Sequence, residues 1–279
     1  MPGVLYVVAT PIGNLEDISR RAADVLRSVA IVAAEDTRRT RVLLDALGAD
    51  SARMVALHSH NEGAASVRVL QSLRDGSTVA LVSDAGTPLL SDPGFELVRA
   101  CWAEQIAVLP VPGPSAVLAA LSVCPLPAGR FHFEGYLPAR AGQRRARLRE
   151  LAARDEACVF FEAPHRIAGC LEDIAALDPA RRLLLGREMT KLHEQYLCAT
   201  ASELLAQLSA AGQLRGEFVG VLEAGSSDAD TRAAHRTMAV LCAELAPAQA
   251  ARLGSQLLGL PRRELYDLAL KLAASPDGA

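Results

Sequence analysis

The stretch VALVSDAGTPLLSDPGF, Val79 to Phe95, decides the fold. Val79-Ala80-Leu81-Val82 is a short apolar run of the kind found in a strand buried on both faces, and it stops at Ser83-Asp84. Two glycines, two prolines and two aspartates fall within the eleven residues from Asp84 to Gly94, and a helical pattern then runs from Phe95 to Glu104. Strand, stiff loop and helix make the repeating unit of an open parallel sheet. The ligand crevice of such a sheet is built by loops at strand carboxyl ends, where helix N-termini also present free N–H groups. Gly86 and Gly94 permit close backbone approach or positive φ, while Pro88 and Pro93 restrict the loop's shapes. An ordinary connection with generic turn residues is the alternative, but such connections have about two to six residues, so this longer, proline-stiffened one reads as a pre-organised binding loop.

Two further loops match it. Val4 to Ala9 is an apolar strand that runs into Thr10-Pro11-Ile12-Gly13-Asn14, and Ala107 to Val111 runs into Pro112-Gly113-Pro114-Ser115 and the helix Ala116 to Leu121. Three stiff loops at strand ends predict one shared pocket. Between them, Ser19 caps a helix through Ser28, Ala30–Ala34 is a strand, and a helix from Thr37 to Leu47 stops at Gly48. Met54–Leu57 is a third strand, and Asn61 caps a helix reaching Asp75. This alternation over residues 1–124 predicts a mainly parallel sheet with helices on both faces.

Cys124-Pro125-Leu126-Pro127-Ala128-Gly129 breaks the pattern and reads as a linker. Residues 130–224 then form a second α/β domain with a mixed sheet, from strands Phe131–Gly135, Ala157–Phe161, Arg182–Arg187, Glu194–Ala199 and Glu217–Glu223. Its helices are expected at Ala141–Ala153, His165–Ala176 and Ala201–Gln207. Ala224 to Asp228 is a polar linker, and residues 231–275 hold three short helices with Pro247 and Pro261 in first turns.

At 279 residues with 51% hydrophobic content, the chain can bury the cores of two domains. A net charge of −3 argues against a protein that coats nucleic acid generally, but leaves room for a local basic patch. No apolar run approaches the roughly 18 residues of a membrane span, so the expectation is a soluble, cytoplasmic protein with no membrane partner. Six cysteines without a CxxC pair read as reduced thiols, with neither a disulfide framework nor a metal site.

The loop of Asp84 and Asp92 carries no lysine and fails the phosphate-binding GxxxxGK[ST] pattern, and no strand-end loop fits GxGxxG. Stiff loops with acids and no phosphate-binding cation suit a ligand with hydroxyls and a positive charge. S-adenosylmethionine, with ribose hydroxyls, an ammonium and a sulfonium, is compatible with that chemistry. In Glu35-Asp36-Thr37-Arg38-Arg39-Thr40, Asp36 either caps the next helix or touches ligand. His58 and His60, at i and i+2 without further suitably spaced ligands, point to a metal only weakly and read as substrate contacts or a helix cap. Glu162-Ala163-Pro164-His165-Arg166 and the run Arg187 to Glu194 place polar clusters at two strand ends of the second domain, as surface ion pairs or as a cleft wall. Arg140, Arg144, Arg145, Arg147, Arg149 and Arg154 face a single acid, Glu150, within fifteen residues. With Leu148 and Leu151 as the buried stripe, the arginines are expected to point outward toward an anionic partner such as RNA phosphate. The helix has no interleaved aromatics, which argues against base stacking on it.

LYVVATPIGNLEDIS (Leu5–Ser19), EDTRRT (Glu35–Thr40), HNE (His60–Glu62), VSDAGTPLLSDPG (Val82–Gly94), VPGPSA (Val111–Ala116), FEGYLP (Phe133–Pro138), FFEAPHRI (Phe160–Ile167), REMTKLHE (Arg187–Glu194) and GEFVGVLE (Gly216–Glu223) together resemble the tetrapyrrole-methylase superfamily, in its branch acting on small-subunit ribosomal RNA. The resemblance implies two α/β domains with S-adenosylmethionine folded between them, and a helical C-terminal extension. It also implies 2′-O-methylation of a decoding-region cytidine in 16S rRNA, within the small subunit, by a homodimer. Carried over by motif, the cofactor contacts are Thr10, Pro11, Asp84, Ala85, Gly86, Ser91, Asp92, Ser115, Ala116, Phe161 and Gly216. Candidates for assisting the ribose hydroxyl are Asp36, His165, Glu188 and Lys191, and Arg38 joins the Arg140–Arg149 set as a candidate RNA contact. Tetrapyrrole-modifying members tend to carry a GxGPG first loop where this chain has ATPIGN, which disfavours a porphyrinoid substrate. The alternatives are C-methylation of a corrin precursor and a non-enzymatic RNA-binding assembly factor.

Overall fold

A computed structural model describes residues 2–49, 52–225 and 228–274. The first sheet holds β1 (Val4–Val8), β2 (Ile31–Ala34), β3 (Arg53–Ala56), β4 (Val79–Val82) and β5 (Ala107–Val111) in the order β3-β2-β4-β1-β5, every pair parallel. The helices between them are α1 (Arg20–Ser28), α2 (Thr37–Leu47), α3 (Glu62–Arg74) and α4 (Phe95–Ala103). Every residue of β2 and of β4 is buried, as expected for central strands covered on both faces. Separate apolar cores fill the two sides, one around Leu5, Leu81 and Leu97, the other around Val8, Leu26 and Leu44.

The helix boundaries follow from local chemistry. Ser19 Oγ accepts from the Ala22 N–H to start α1, and Gly48, at φ 64°, closes α2 in the left-handed conformation. Asn61 departs from the expected side-chain cap. Its Oδ1 accepts from the His58 N–H at 2.8 Å and its Nδ2 donates to the Ala56 carbonyl at 3.0 Å, so it closes the turn before α3 and makes no side-chain cap bond to the helix.

After α5 (Ala116–Ser122), the second sheet comprises β6 (Phe131–Tyr136), β7 (Ala157–Glu162), β8 (Arg182–Arg187), β9 (Gln195–Thr200) and β10 (Phe218–Leu222), ordered β6-β7-β10-β8-β9. Only β6 and β7 are parallel, and the other neighbours are antiparallel, giving the mixed sheet expected. Helices α6 (Ala141–Ala152), α7 (Ile167–Leu177) and α8 (Ala201–Ala210) cover one face. The other face is covered by α5 of the preceding unit: Val117 and Ala120 pack with Val159, Val219 and Val221 in a core that also takes in Ile12 and Met189. The first unit is therefore anchored on the second sheet through α5 and through Ile12 of the loop after β1.

Three helices end the described chain: α9 (Asp228–Glu244), α10 (Pro247–Leu258) and α11 (Arg262–Ala274). They pack on one another around Met238, Ala250, Ala251, Leu265 and Ala269. The first spans 17 residues and begins at Asp228, longer and earlier than the short helix expected. Pro247 occupies a first turn, whereas Pro261 lies just before α11. Ser226 and Ser227 of the expected linker, and residue 275 of the expected helical unit, lie outside the described residues. No described helix is long and apolar enough to cross a membrane.

Candidate functional site

The carboxyl ends of the first sheet's strands are tied into one rim. After β1, Thr10 pairs with Gly86 through backbone hydrogen bonds of 2.9 and 3.0 Å, and its hydroxyl donates to the Ser83 carbonyl. Behind β2, the Asp36 N–H donates to Asp84 Oδ1 at 2.9 Å, and Arg39 approaches Asp84 Oδ2 at 3.4 Å. Thr87 Oγ1 donates to the Pro114 carbonyl at 3.1 Å, joining the β4 loop to the β5 loop. The Glu62 carboxylate accepts from the Gly94 and Glu96 N–H groups at 2.8 and 3.0 Å, capping α4 from a neighbouring helix. Gly86 lies at φ 78°, and a Cβ there would stand 3.3 Å from Ile12. Leu89 and Ser91 also hold positive φ without being glycine, strain of a kind that persists where the surroundings over-determine the backbone.

The second sheet supplies the opposite lip. Gly13 lies so close to it that a Cβ would fall 2.5 Å from Lys191 Cγ and 3.0 Å from the Met189 carbonyl oxygen. Ser91 Oγ sits under Gly135, 2.7 Å from where a Cβ would be. On this lip Glu188 and Thr190 again have positive φ. Glu188 Oε1 accepts from the Glu217 N–H at 2.8 Å and from Lys191 Nζ at 3.1 Å, and Lys191 reaches Glu217 Oε2 at 2.9 Å.

Between the lips lies a cavity of about 310 Å³, at the small end of ligand sites. From the first sheet it is lined by Ile12, Glu35, Arg39, the β4 loop from Asp84 to Asp92 (Pro88 and Leu89 excepted), and Ser115 to Val117. Tyr136, Phe161, Glu162, Met189 and Glu217 to Val219 line it from the second. Its charge is lopsided: Glu35, Asp84, Asp92, Glu162 and Glu217 face Arg39 as the single cation among the lining residues. Burial pushes the Asp92 carboxyl up to about 6, reinforced by Glu35 and Asp84 and opposed by a hydrogen bond from Ser83. Burial also raises Glu35. Glu162 is buried, bonded to the Ala163 N–H at 2.9 Å and to Arg166 Nη2 at 3.3 Å.

Of the residues expected from sequence, Asp84, Ala85, Gly86, Ser91, Asp92, Ser115, Ala116 and Phe161 line this cavity. Thr10 and Pro11 do not, and Thr10 is buried one layer behind, holding Gly86 in place. Gly216 stands at φ 95° with the Glu188 side chain packed against it, and its neighbour Glu217 lines the cavity instead. Asp36 turns away, capping α2 through the Arg38 N–H and pairing with the Arg38 guanidinium at 2.9 Å, which holds its carboxyl down at about 2. His165 is exposed and outside the lining, whereas Glu188 and Lys191 adjoin it through Glu217. Sequence reasoning missed Tyr136, Met189 and Glu217, which lie inside quoted motifs but reach the cavity only through strand pairing and the contact between the sheets.

The arginine helix corrects an expectation. Arg144 does not face outward but shares the buried stripe of α6 with Leu148 and Leu151, at i, i+4 and i+7. It donates to Asp173 at 2.7 Å and to the Ala139 and Gly169 carbonyls. Arg147 is half-buried and forks onto Glu134 with two 2.7 Å bonds, with Glu150 beyond at 2.6 Å. The expected charge row therefore shrinks on this helix to Arg140, Arg145 and Arg149, which stay exposed, as does Arg38 at the pocket rim.

Residues 4–205 match the family described as Tetrapyrrole (Corrin/Porphyrin) Methylases, and residues 228–273 match the RsmI C-terminal HTH domain. A Ribosomal RNA small subunit methyltransferase I of Xylella fastidiosa is 48% identical over 270 residues, covering 95% of this chain and 98% of that protein. The protein of the same name from Escherichia coli O157:H7 is 44% identical over 273 residues, covering 96% and 95%. Among solved structures, uroporphyrin-III C-methyl transferase from Thermus thermophilus complexed with S-adenyl homocysteine aligns with a TM-score of 0.56 at 20% identity, over 79% of this chain and 97% of that one. Diphthine synthase aligns with a TM-score of 0.57 at 16% identity, over 79% and 90%. These two show the shared fold. Matched by the family over most of its length and by full-length relatives at 44–48% identity, the chain belongs to the tetrapyrrole methylases, in the branch of the ribosomal RNA small subunit methyltransferases I.

Proposed function

We propose that this protein uses S-adenosylmethionine to methylate the ribose 2′-hydroxyl of a decoding-region cytidine in 16S rRNA, on the small ribosomal subunit, as a homodimer. The observation that carries this is the pairing of near full-length relatives named for small-subunit rRNA methylation with a cleft whose lining suits a cationic ligand. The fit to the cofactor is chemical. Several carboxylates against one arginine would repel a phosphate-rich nucleotide and attract an ammonium and a sulfonium, while Phe161, Val117 and Val219 supply apolar wall for an adenine. Asp84 to Gly86, Ser91, Asp92, Ser115, Ala116 and Phe161 would hold it directly, with Thr10, Pro11 and Gly216 shaping the loops behind.

When bound, the cofactor supplies an electrophilic methyl group. The protein's part is to hold the ribose oxygen in line about 3 Å away, in a cleft that excludes water. Lys191 is the best placed of the polar candidates to favour the alkoxide form of that oxygen, and the hydroxyl's proton would pass to the Glu217 carboxylate, which lines the cavity 2.9 Å from Lys191 Nζ. Burial works against its charge, but Glu217 and Glu188 outweigh it and raise the ammonium above its ordinary value, so Lys191 acts as a cation and not as a base. Asp36 and His165 are assigned no chemical step, because the first is tied to Arg38 and the second is exposed and outside the lining, without the link through Glu217 that brings Lys191 to the cavity. Arg38, Arg140, Arg145 and Arg149 would meet RNA phosphate, and Arg144 and Arg147 would shape the surface beneath.

Tritiated S-adenosylmethionine offered with undermodified 30S subunits, naked 16S rRNA or a corrin precursor tests the proposal. The expected result is label on the subunit at a nucleotide whose 3′ bond resists alkali, the mark of a blocked 2′-oxygen. Label on the corrin, or none with any acceptor, overturns it.

The raised Asp92 gives a pH prediction. Near pH 5 that carboxyl is mostly protonated and near pH 7.5 mostly ionised, and a cationic ligand prefers the ionised form. Affinity for S-adenosylmethionine is therefore expected to rise about tenfold between pH 5 and 7.5, with Glu35 contributing in the same direction. In Asp92→Asn the rise should shrink. Calorimetry at both pH values reads the effect, and a flat wild-type profile contradicts it.

A further inference from the structure

We propose that Tyr136 is the platform on which the target nucleobase stacks when its nucleotide enters the cleft, an inference that rests on the RNA methylation proposed above. The register of β6 against β7 breaks between Phe133 and Gly135, so one extra residue, Glu134, is inserted in the strand. Without the bulge, Phe133 and Tyr136 would point to opposite faces of the sheet, because side chains alternate along a strand. With it, both rings meet Phe161 edge-on, Phe133 at 5.1 Å and Tyr136 at 5.7 Å between centroids. Gly135 makes the turn at φ 73°, with Ser91 Oγ in the space a side chain would need. The strand is thus bent to aim Tyr136 at the cavity.

The ring is then left uncovered. Tyr136 lines the cavity yet is 57% exposed, in a chain with only 4% aromatic residues. Phe161 and Phe218, the other aromatic lining residues, lie deeper: Phe161 is partly covered by its neighbours and Phe218 is 2% exposed. A cofactor seated first occupies the inner wall, leaving the outer ring for what arrives from solvent. A flat, propped, half-exposed aromatic at the mouth of a pocket is the feature RNA-modifying sites use to hold an unstacked base. The arginine helix supplies no such ring, so stacking and phosphate contact fall to different elements, β6 and α6.

The test compares wild type with Tyr136→Phe, Tyr136→Leu and Tyr136→Ala, using undermodified 30S subunits and labelled S-adenosylmethionine, with calorimetric cofactor affinity alongside. Loss of the ring is expected to lower kcat/KM for the subunit about tenfold to a hundredfold, the range for losing one stacked base. Leu should behave like Ala, because bulk without a flat face does not stack, and Phe should stay within about twofold of wild type. Cofactor affinity should be unchanged in all three. Parallel loss of cofactor affinity would assign the ring to the cofactor, and wild-type turnover in Tyr136→Leu would deny it a stacking role; either overturns the proposal. Wild type failing to label any RNA is the distinct result that overturns the proposed function and this inference with it.

Discussion

An Arg144→Ala variant is expected to lose about 3 kcal/mol or more of folding stability, the cost of removing one partner from a buried ion pair. Arg144 and Asp173 side chains are 8% and 12% exposed, so deleting the guanidinium leaves the carboxylate, where water reaches it poorly, with only the exposed Arg145 at 3.9 Å. It also strips donors from the Ala139 and Gly169 carbonyls. Arg145→Ala and Arg149→Ala, on exposed positions of the same helix, should stay within about 0.5 kcal/mol of wild type. Urea unfolding separates the cases. A double replacement, Arg144→Met with Asp173→Leu, should recover much of the loss, since a well-packed apolar pair can replace a buried ionic one. Arg144→Ala as stable as wild type would show that the pair carries nothing. The two exposed replacements should instead weaken RNA binding and flatten its salt dependence.

The second large effect belongs to chemistry. Lys191→Met is expected to slow single-turnover methyl transfer to 30S subunits by about a hundredfold to a thousandfold, the magnitude for losing one preorganised charge at a developing oxyanion. Met keeps the stem that packs near Gly13, so the loss isolates the ammonium. S-adenosylmethionine affinity should not fall, because removing a cation from beside an acid-rich cavity does not weaken its hold on a cationic ligand. Lys191→Arg should restore part of the rate. Unchanged turnover in Lys191→Met would remove Lys191 from the mechanism.

Much of the architecture was legible because its signals are local. The apolar run Val79–Val82, stopped by Ser83-Asp84 and followed by paired prolines and glycines, announces a covered strand and its loop without reference to the rest of the chain. Gly48 and Ser19 mark helix ends for equally local reasons. Arg144 was misplaced because an arginine-rich helix reads as a solvated face unless the acid opposite is known, and Asp173 lies on a different helix. Tyr136 and Glu217 went unassigned because pairing register and a bulge decide where they point, and neither is written in spacing alone. The loop residues after β1, β4 and β5 could be grouped in advance, since strand polarity alone puts them at one edge.

The seating of α5 and Ile12 on the second sheet bears on how the protein moves. Because Val117, Ala120 and Ile12 of the first unit pack with Val159, Val219 and Val221, the contact between the two halves is close-packed interior. Turning one half against the other like the covers of a book would tear that interior. On the proposed function, admission of a bulky RNA falls to the outer edges, where Leu89 and Ser91 on one side and Glu188 and Thr190 on the other already hold strained backbone that a small shift could release.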